Sequence, residues 1–334
     1  MDRYINQIDN KRDAPAHVIL TPEQMLMRGL HLVYTSKRIY RVKDDAECSP
    51  TNRQRFIDHF GASHDVVAET WSDLQTTETP RARIMVLNLN GYLEALNFNY
   101  RHKREVEREA QFDRSPKTLR KWAWHYLMKT QALKAEKIIF PTADDFEDDE
   151  VWTLTVDGAH SLWHEPDHPE FSQDDKACSH KKRHAALGFE LGIHLFEPRL
   201  VWMYGSFYAG KGDNGNFEEG GLRAKLAAIG KKALGDKAYN GFPDECSTFN
   251  ALDCVAVKQL KSRAQMRHEQ FNGMIKKFSS LADQHRHSQE KFEVCFEAAC
   301  VVCQYRMEHD EPLFDVMAGI ALEDPVPAEM ANAI

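Results

Sequence analysis

Asp157 closes an apolar run in Val156-Asp157-Gly158-Ala159-His160, and Asp236 closes another in Gly235-Asp236-Lys237-Ala238-Tyr239. Glu269 follows in Arg267-His268-Glu269-Gln270-Phe271, 33 residues after Asp236 and on a segment with helical periodicity. Two aspartates at strand ends and a glutamate on a later helix are a set that could hold two Mg²⁺ or Mn²⁺ ions. Mg²⁺ takes hard oxygen ligands and completes its shell with water and substrate phosphates. A pair of such ions roughly 4 Å apart activates an attacking oxygen and stabilises a leaving one. The chemistry expected of Asp157, Asp236 and Glu269, as metal ligands and catalytic groups, is therefore phosphodiester cleavage.

The helix carrying Glu269 supports that placement. Phe271, Met274, Ile275 and Phe278 mark a buried stripe, and at ~100° per residue Glu269 lies about 160° from Phe271. It shares its face with Gly273 and Lys276. Any exposed helix can show a Glu and a Lys on one stripe, so the weight comes from the two preceding aspartates.

Asp213, in the glycine-rich Ala209-Gly210-Lys211-Gly212-Asp213-Asn214 stretch, is the rival second carboxylate and an accessory candidate, as is His160. Glycines around Asp213 predict a loop, where a lone Asp is usually a turn residue. His160, His164 and His168 recur every four residues and Cys178, His180 and His184 follow, which raises a zinc site. Pro166 and Pro169 oppose the helix that would align the three histidines, so zinc is not expected. Cys300-Val301-Val302-Cys303 is one CxxC in an apolar helix and fits core packing. No phosphate-loop spacing is present.

The elements that must position these groups fall into two halves. In the first, 52–60 and 64–75 flank Gly61-Ala62-Ser63, with Ser63 as N-cap of the second helix. A second pair, 103–112 and 116–134, has Ser115 as N-cap and Pro116 at the first helical position. Lys117, Arg120 and Lys121 lie on its later helix and, with Arg267, Lys276 and Lys277, are the DNA-contact candidates. Either pair fits a helix-turn-helix, and a solvated helical domain fits as well.

The acidic run 144–150 predicts a linker. Beyond it, 151–158, 185–196 and 199–208 read as strands, the last two a hairpin around Glu197-Pro198. A helix over 216–230, a strand ending near Asp236, a strand over 254–260 and helices over 262–282 and 289–308 complete the order. The expected fold is α/β (α+β): a ribonuclease-H-like catalytic domain with a mixed sheet, preceded by an all-helical domain containing a helix-turn-helix. The expected limits are 1–143 helical, 144–150 linker, 151–320 catalytic and 321–334 tail.

Charge divides along the same line. The net charge is −8, yet residues 1–140 hold 23 Lys and Arg against 18 Asp and Glu, while 141–334 hold 20 against 33. An acidic metal-binding half beside a basic phosphate-binding half is compatible with DNA as partner. No window of the sequence is apolar enough for a membrane span, the N-terminus lacks a secretory signal, and seven cysteines without a framework predict reduced thiols.

Taken in order, these motifs resemble the DDE superfamily endonucleases, in particular the PIF/Harbinger-like transposases. The matching residues are Val156 to His160, Phe189-Glu190-Leu191, Gly205 through Asp213, Gly235 to Tyr239, and Arg267, Glu269, Phe271, Asn272, Gly273 and Lys276. The resemblance runs from about 151 to 318 and takes in the leading helical region. Ala159, Ala238 and the Gly-Lys-Gly-Asp-Asn loop depart from the family pattern, while the three metal-ligand candidates do not. The resemblance implies recognition of terminal inverted repeats in double-stranded DNA and Mg²⁺- or Mn²⁺-dependent cleavage of element ends. It also implies 3′-hydroxyl strand transfer, a homo-oligomer on DNA, a Myb-like accessory protein and a nuclear location. The competing expectation is a catalytically silent DNA-binding or adaptor protein derived from such an enzyme; a zinc hydrolase is the third.

Overall fold

The computed structural model describes residues 19–34, 49–76, 88–147, 150–164, 178–179 and 184–318. Of the histidine-rich loop, His168 and His180 lie outside these, as does the expected tail 321–334. The chain divides into two compact units, and neither is one continuous segment. The first comprises residues up to Lys134 with Lys277–Ser280 and Val294–Asp310; the second comprises Ala135–Lys276, Leu281–Glu293 and the residues from Glu311 on.

In the first unit the described elements are helices: α1 (Pro22–Tyr34), α2 (Pro50–Phe60), α3 (His64–Thr76), α4 (Leu89–Arg101), α5 (Glu105–Phe112) and α6 (Pro116–Ala132), with α7 (Lys134–Lys137) at its boundary. Both anticipated helix pairs form. Ser63 Oγ accepts from Val66 N at 3.3 Å and Ser115 Oγ from Thr118 N at 3.3 Å, so the caps read from sequence start α3 and α6. Trp71 stacks on Tyr92 at 5.5 Å and Tyr126 packs against both, which centres this core on aromatic rings. Residues 294–310 join it from the far end of the chain: Asn99 Nδ2 donates to Cys295 O at 3.1 Å and Gln131 Nε2 to Glu297 at 2.9 Å. That long-range return is why the expected boundary at 143 and a continuous domain over 151–320 do not hold.

The second unit is built on β1 (Trp152–Leu162), β2 (Cys178–Ser179), β3 (His184–His194), β4 (Leu200–Tyr208), β5 (Lys232–Gly235) and β6 (Cys246–Ser247). The sheet runs β4-β3-β1-β5-β6, with β2 also on β3. β1, β3 and β4 are antiparallel neighbours, whereas β5 and β6 run parallel to β1. A parallel neighbour needs a crossover, and α8 (Asp213–Glu219) and α9 (Leu222–Ile229) provide it. Leu154, Val156, Phe217, Leu222, Leu226 and Tyr239 form the core on that face. α10 (Val255–Lys276) covers the other face, where Leu195, Leu234, Ala264 and Val316 cluster. α11 (Ser279–Ala282) and α12 (Gln289–His309) follow, of which Ser279–Ser280 and Val294–His309 belong to the first unit. Cys300 and Cys303 are buried on α12, as core packing requires.

Several expected elements differ: the helix over 262–282 ends at Lys276, with α11 separate from it, and the strand over 151–158 runs on to Leu162. The single helix over 216–230 is two, because Gly221 takes a left-handed φ of 90° between α8 and α9. Residues 254–260 are the first turns of α10, and the edge strand is Cys246–Ser247 instead. Val255 is exposed while Val257, Lys261 and Ala264 are buried, a spacing of four and three that only a helix satisfies. The acidic run is docked in its described residues: Phe146 stacks on His194 at 5.6 Å, and Lys231 Nζ donates to the carbonyls of Glu147 and Glu150. It is therefore part of the second unit.

Candidate active site

β1 and β5 pair with Val156 opposite Gly235, and Asp157 and Asp236 are the next residue on each strand path. Asp157 lies inside β1, paired with Leu191 of β3, whereas Asp236 directly follows the last residue of β5. The expected pair of strand ends is therefore one mid-strand and one strand-end carboxylate at the same level of adjacent parallel strands. They line one cleft of about 420 Å³, whose other wall is Lys261, Ser262, Gln265 and His268 of α10. Asp157 Oδ1 accepts from Gly158 N at 2.8 Å, and Asn272 Nδ2 donates to its Oδ2 at 3.3 Å. Asp236 Oδ1 accepts from Ala238 N at 2.8 Å and so caps the 3₁₀ turn Lys237–Tyr239.

Two hydrogen bonds fix α10 against β1. Thr155 Oγ1 and His268 Nδ1 are 2.8 Å apart, and Asn272 reaches Asp157. Along the strand these positions are two residues apart, roughly 6.7 Å; along the helix they are four apart, about 6 Å. The rises match, so helix and strand carry both rungs in register. Burial holds His268 down to about 4, the neighbouring Glu269 opposing that shift, so its imidazole is neutral near pH 7.

Glu269 is exposed and lies one turn beyond Gln265 on the Ser262–Gln265–Glu269–Asn272 stripe, but it does not line the cleft. Among the described residues no three His, Cys, Asp or Glu side chains stand close enough together to hold an ion. The structure thus brings Asp157 and Asp236 together and leaves Glu269 on the flanking helix face.

Asp213 and His160 belong to the opposite face of the sheet. Asp213 opens α8, where an acidic side chain suits the positive end of a helix, rather than sitting in a free loop. A Cβ on Gly158 would meet Asp213 Oδ1 at 3.1 Å and His160 Nε2 at 3.5 Å, so glycine at 158 is what lets both approach. Opposite Gly158 is Glu190, fully buried in β3. Its Oε1 accepts from Trp202 Nε1 at 3.0 Å while Oε2 has no protein partner. Burial, with a smaller contribution from Asp213, pushes Glu190 up to about 8. The same surroundings raise the Tyr239 hydroxyl well above its ordinary range, chiefly through burial.

Among the DNA-contact candidates, Lys117, Lys121, Lys276 and Lys277 are exposed. Arg120 is exposed but grips Glu105 with both carboxylate oxygens at 2.7 and 2.8 Å. Arg267 is corrected outright: it is fully buried and donates to the carbonyls of Phe314 and Glu197. Loss of hydration is the main reason its guanidinium falls to about 10. Its role is to tie α10 to two loops, and no phosphate can reach it.

No protein-family model matches this chain, and no curated protein or solved structure is significantly similar to it. No helix among the described residues is long and apolar enough to cross a membrane.

Thr155 and His268 fix α10 against the site and carried no functional reading in the sequence, whereas Asn272, on Asp157, and Glu190, on the opposite face of the sheet, entered only within the motifs of the resemblance. Their signals were positional. Thr155 shares Asp157's strand face, His268 and Asn272 are one helical turn apart, and Glu190 is a lone acid in an apolar strand.

Proposed function

We propose that the second unit is a ribonuclease-H-like, divalent-metal-dependent DNA endonuclease and strand transferase of the transposase type. The observation that carries this reading is that Asp157, within β1, and Asp236, just past the end of the parallel β5, stand at one level of the sheet and line one cleft walled by α10. The sheet order, three antiparallel strands followed by two parallel to the first, supports it. Two half-buried carboxylates facing one cleft fit Mg²⁺, which is held by one or two carboxylates plus substrate phosphates. Asp157 and Asp236 would hold the ion, with water and substrate phosphate rather than Glu269 completing its shell in this arrangement. The bound metal would supply an activated water or 3′-hydroxyl and charge stabilisation at the leaving oxygen. The chain's own part is to hold the scissile phosphate against the two strand ends, with Asn272 orienting Asp157 and Lys237, exposed on the cleft wall, facing the backbone. DNA contact by Lys117, Lys121, Lys276 and Lys277 and by a helix-turn-helix belongs to the same proposal, as do a homo-oligomer on DNA, a Myb-like partner and a nuclear location.

The deciding assay is Mg²⁺- or Mn²⁺-dependent cleavage of duplex DNA carrying the element's terminal repeats. Wild-type protein is expected to cut and Asp157→Asn to bind without cutting. Equal cutting by Asp157→Asn and Asp236→Asn would rule the mechanism out. One observation favours a second reading, a silent DNA-binding or adaptor protein: Glu269 does not line the cleft. Metal-dependent scission by the wild type excludes that alternative.

A further inference from the structure

The loop after β6 holds apolar side chains out in water by means that are costly to build. Asn250 Oδ1 accepts from Leu252 N at 2.9 Å, and Asp253 Oδ2 accepts from Asn250 N at 3.1 Å. Lys261 Nζ, almost fully buried, donates to Asp253 Oδ2 at 2.9 Å and to Thr248 O at 2.8 Å. A turn closed by that many bonds and a buried ion pair is pre-organised. Yet Phe249 is 50% exposed, Leu252 90% and Val255 71%. Three large apolar residues within seven positions are thus exposed on this ordered turn and the start of α10, and Phe249 is the one that also lines a cavity.

Phe249 also has a particular position. It lines both the Asp157–Asp236 cleft and a cavity of about 250 Å³ that it shares with Asn240, Pro243, Ser247, Thr248 and Asn250. That cavity offers amide and hydroxyl groups. Its one cation, Lys261, is spent on Asp253 and Thr248, so it is a poor seat for a phosphate and a good one for a neutral, flat, hydrogen-bonding ring. The aromatic face beside it completes the arrangement by which proteins stack an unpaired base and read its edge.

We propose that Phe249 and the cavity beside it take one unpaired base of a DNA strand whose backbone passes through the Asp157–Asp236 cleft. The inference rests on the nucleic-acid part of the proposed function and not on catalysis. Phe249 is the stacking platform, Asn240 and Asn250 contact the base edge, and Leu252 and Val255 extend the apolar rim. Such a site would favour DNA that is frayed, nicked or single-stranded near the scissile phosphate, because opening a pair costs least there.

The test uses the full chain in EDTA with single-stranded DNA oligonucleotides carrying 2-aminopurine at successive positions. Wild-type protein is expected to bind and to change the emission of one position most. Phe249→Ala should bind about tenfold or more weakly and lose that change, while Phe249→Trp should keep both. The residue is half exposed, so an unchanged unfolding temperature confirms that the variants fold. Binding by Phe249→Ala within twofold of wild type with the same emission change overturns the proposal, as does a wild type that binds no oligonucleotide. Loss of self-association in Phe249→Ala with DNA binding intact also overturns it, in favour of a second copy as occupant. Phe249-dependent base binding by a protein that never cuts with Mg²⁺ or Mn²⁺ leaves the base site standing and removes the catalytic reading.

Discussion

The Thr155 hydroxyl and His268 Nδ1, 2.8 Å apart and both buried, join β1 to α10 one strand step below Asp157 and one residue before Glu269. With Asn272 on Asp157 as the second rung, this bond sets how far α10 is rotated about its axis, and hence where Glu269 stands relative to Asp157 and Asp236.

Thr155→Val keeps the shape and removes the hydroxyl. It should lower stability by roughly 1–3 kcal/mol, because His268 Nδ1 is left buried without a partner. Adding His268→Leu should cost less than the sum of the two single changes. Urea unfolding of the four proteins measures this coupling; strict additivity would mean that the bond contributes nothing.

Asn272→Leu removes the donor that orients Asp157 while filling the same space. Loss of such an outer partner of a metal ligand typically costs ~10–100-fold in metal affinity or activity. Mn²⁺ titration followed by electron paramagnetic resonance reads the affinity directly. An unchanged titration would show that Asp157 does not need Asn272.

Glu190 gives the protein a stability that falls with pH. Its carboxyl is raised from 4.5 to about 8 in the folded state, so between those values the folded chain holds a proton that the unfolded chain has released. Stability contributed by the neutral carboxyl is complete below about pH 4.5 and declines as pH rises toward 8, by an order-of-magnitude few kcal/mol. Glu190→Gln should flatten this decline and be more stable than wild type near pH 8. Parallel pH profiles of wild type and variant would contradict the assignment.

His268 acts in the opposite direction. Its folded value near 4 against an ordinary 6.5 means that the unfolded chain binds the extra proton between them, so stability is present above about 6.5 and lost as pH falls toward 4. A His268→Asn variant, which offers an amide to Thr155, should lose that acid sensitivity in thermal melts from pH 4 to 7. Retained sensitivity would place its origin elsewhere.

Arg267→Met tests the correction to the DNA surface. Two backbone carbonyls lose their donor, which should cost about 2–5 kcal/mol in unfolding free energy, while affinity for duplex DNA changes by less than about twofold. A weaker, less salt-dependent affinity at unchanged stability would instead return Arg267 to the phosphate backbone.

How much the residues alone disclosed depended on whether the relevant interaction was local. Helix caps at Ser63 and Ser115, the β3–β4 hairpin around Glu197-Pro198 and the buried stripe of α10 rest on neighbours a few residues away, so spacing revealed them. Asp157 and Asp236 stood out because each ends an apolar run, which marks the end of β5 at Asp236, whereas β1 continues past Asp157 to Leu162. Only the tertiary structure could decide the rest. The β1–β5 register, the burial of Arg267, the two hydrogen bonds from α10 to β1 and the return of 294–310 to the first unit join positions far apart in the chain. A sequence pattern carries no signal for which distant partners meet. Burial and pairing then fix what an acid or a base in such a place can do: Glu190 stays protonated, His268 stays neutral, and Asp157 and Asp236 open onto one cleft.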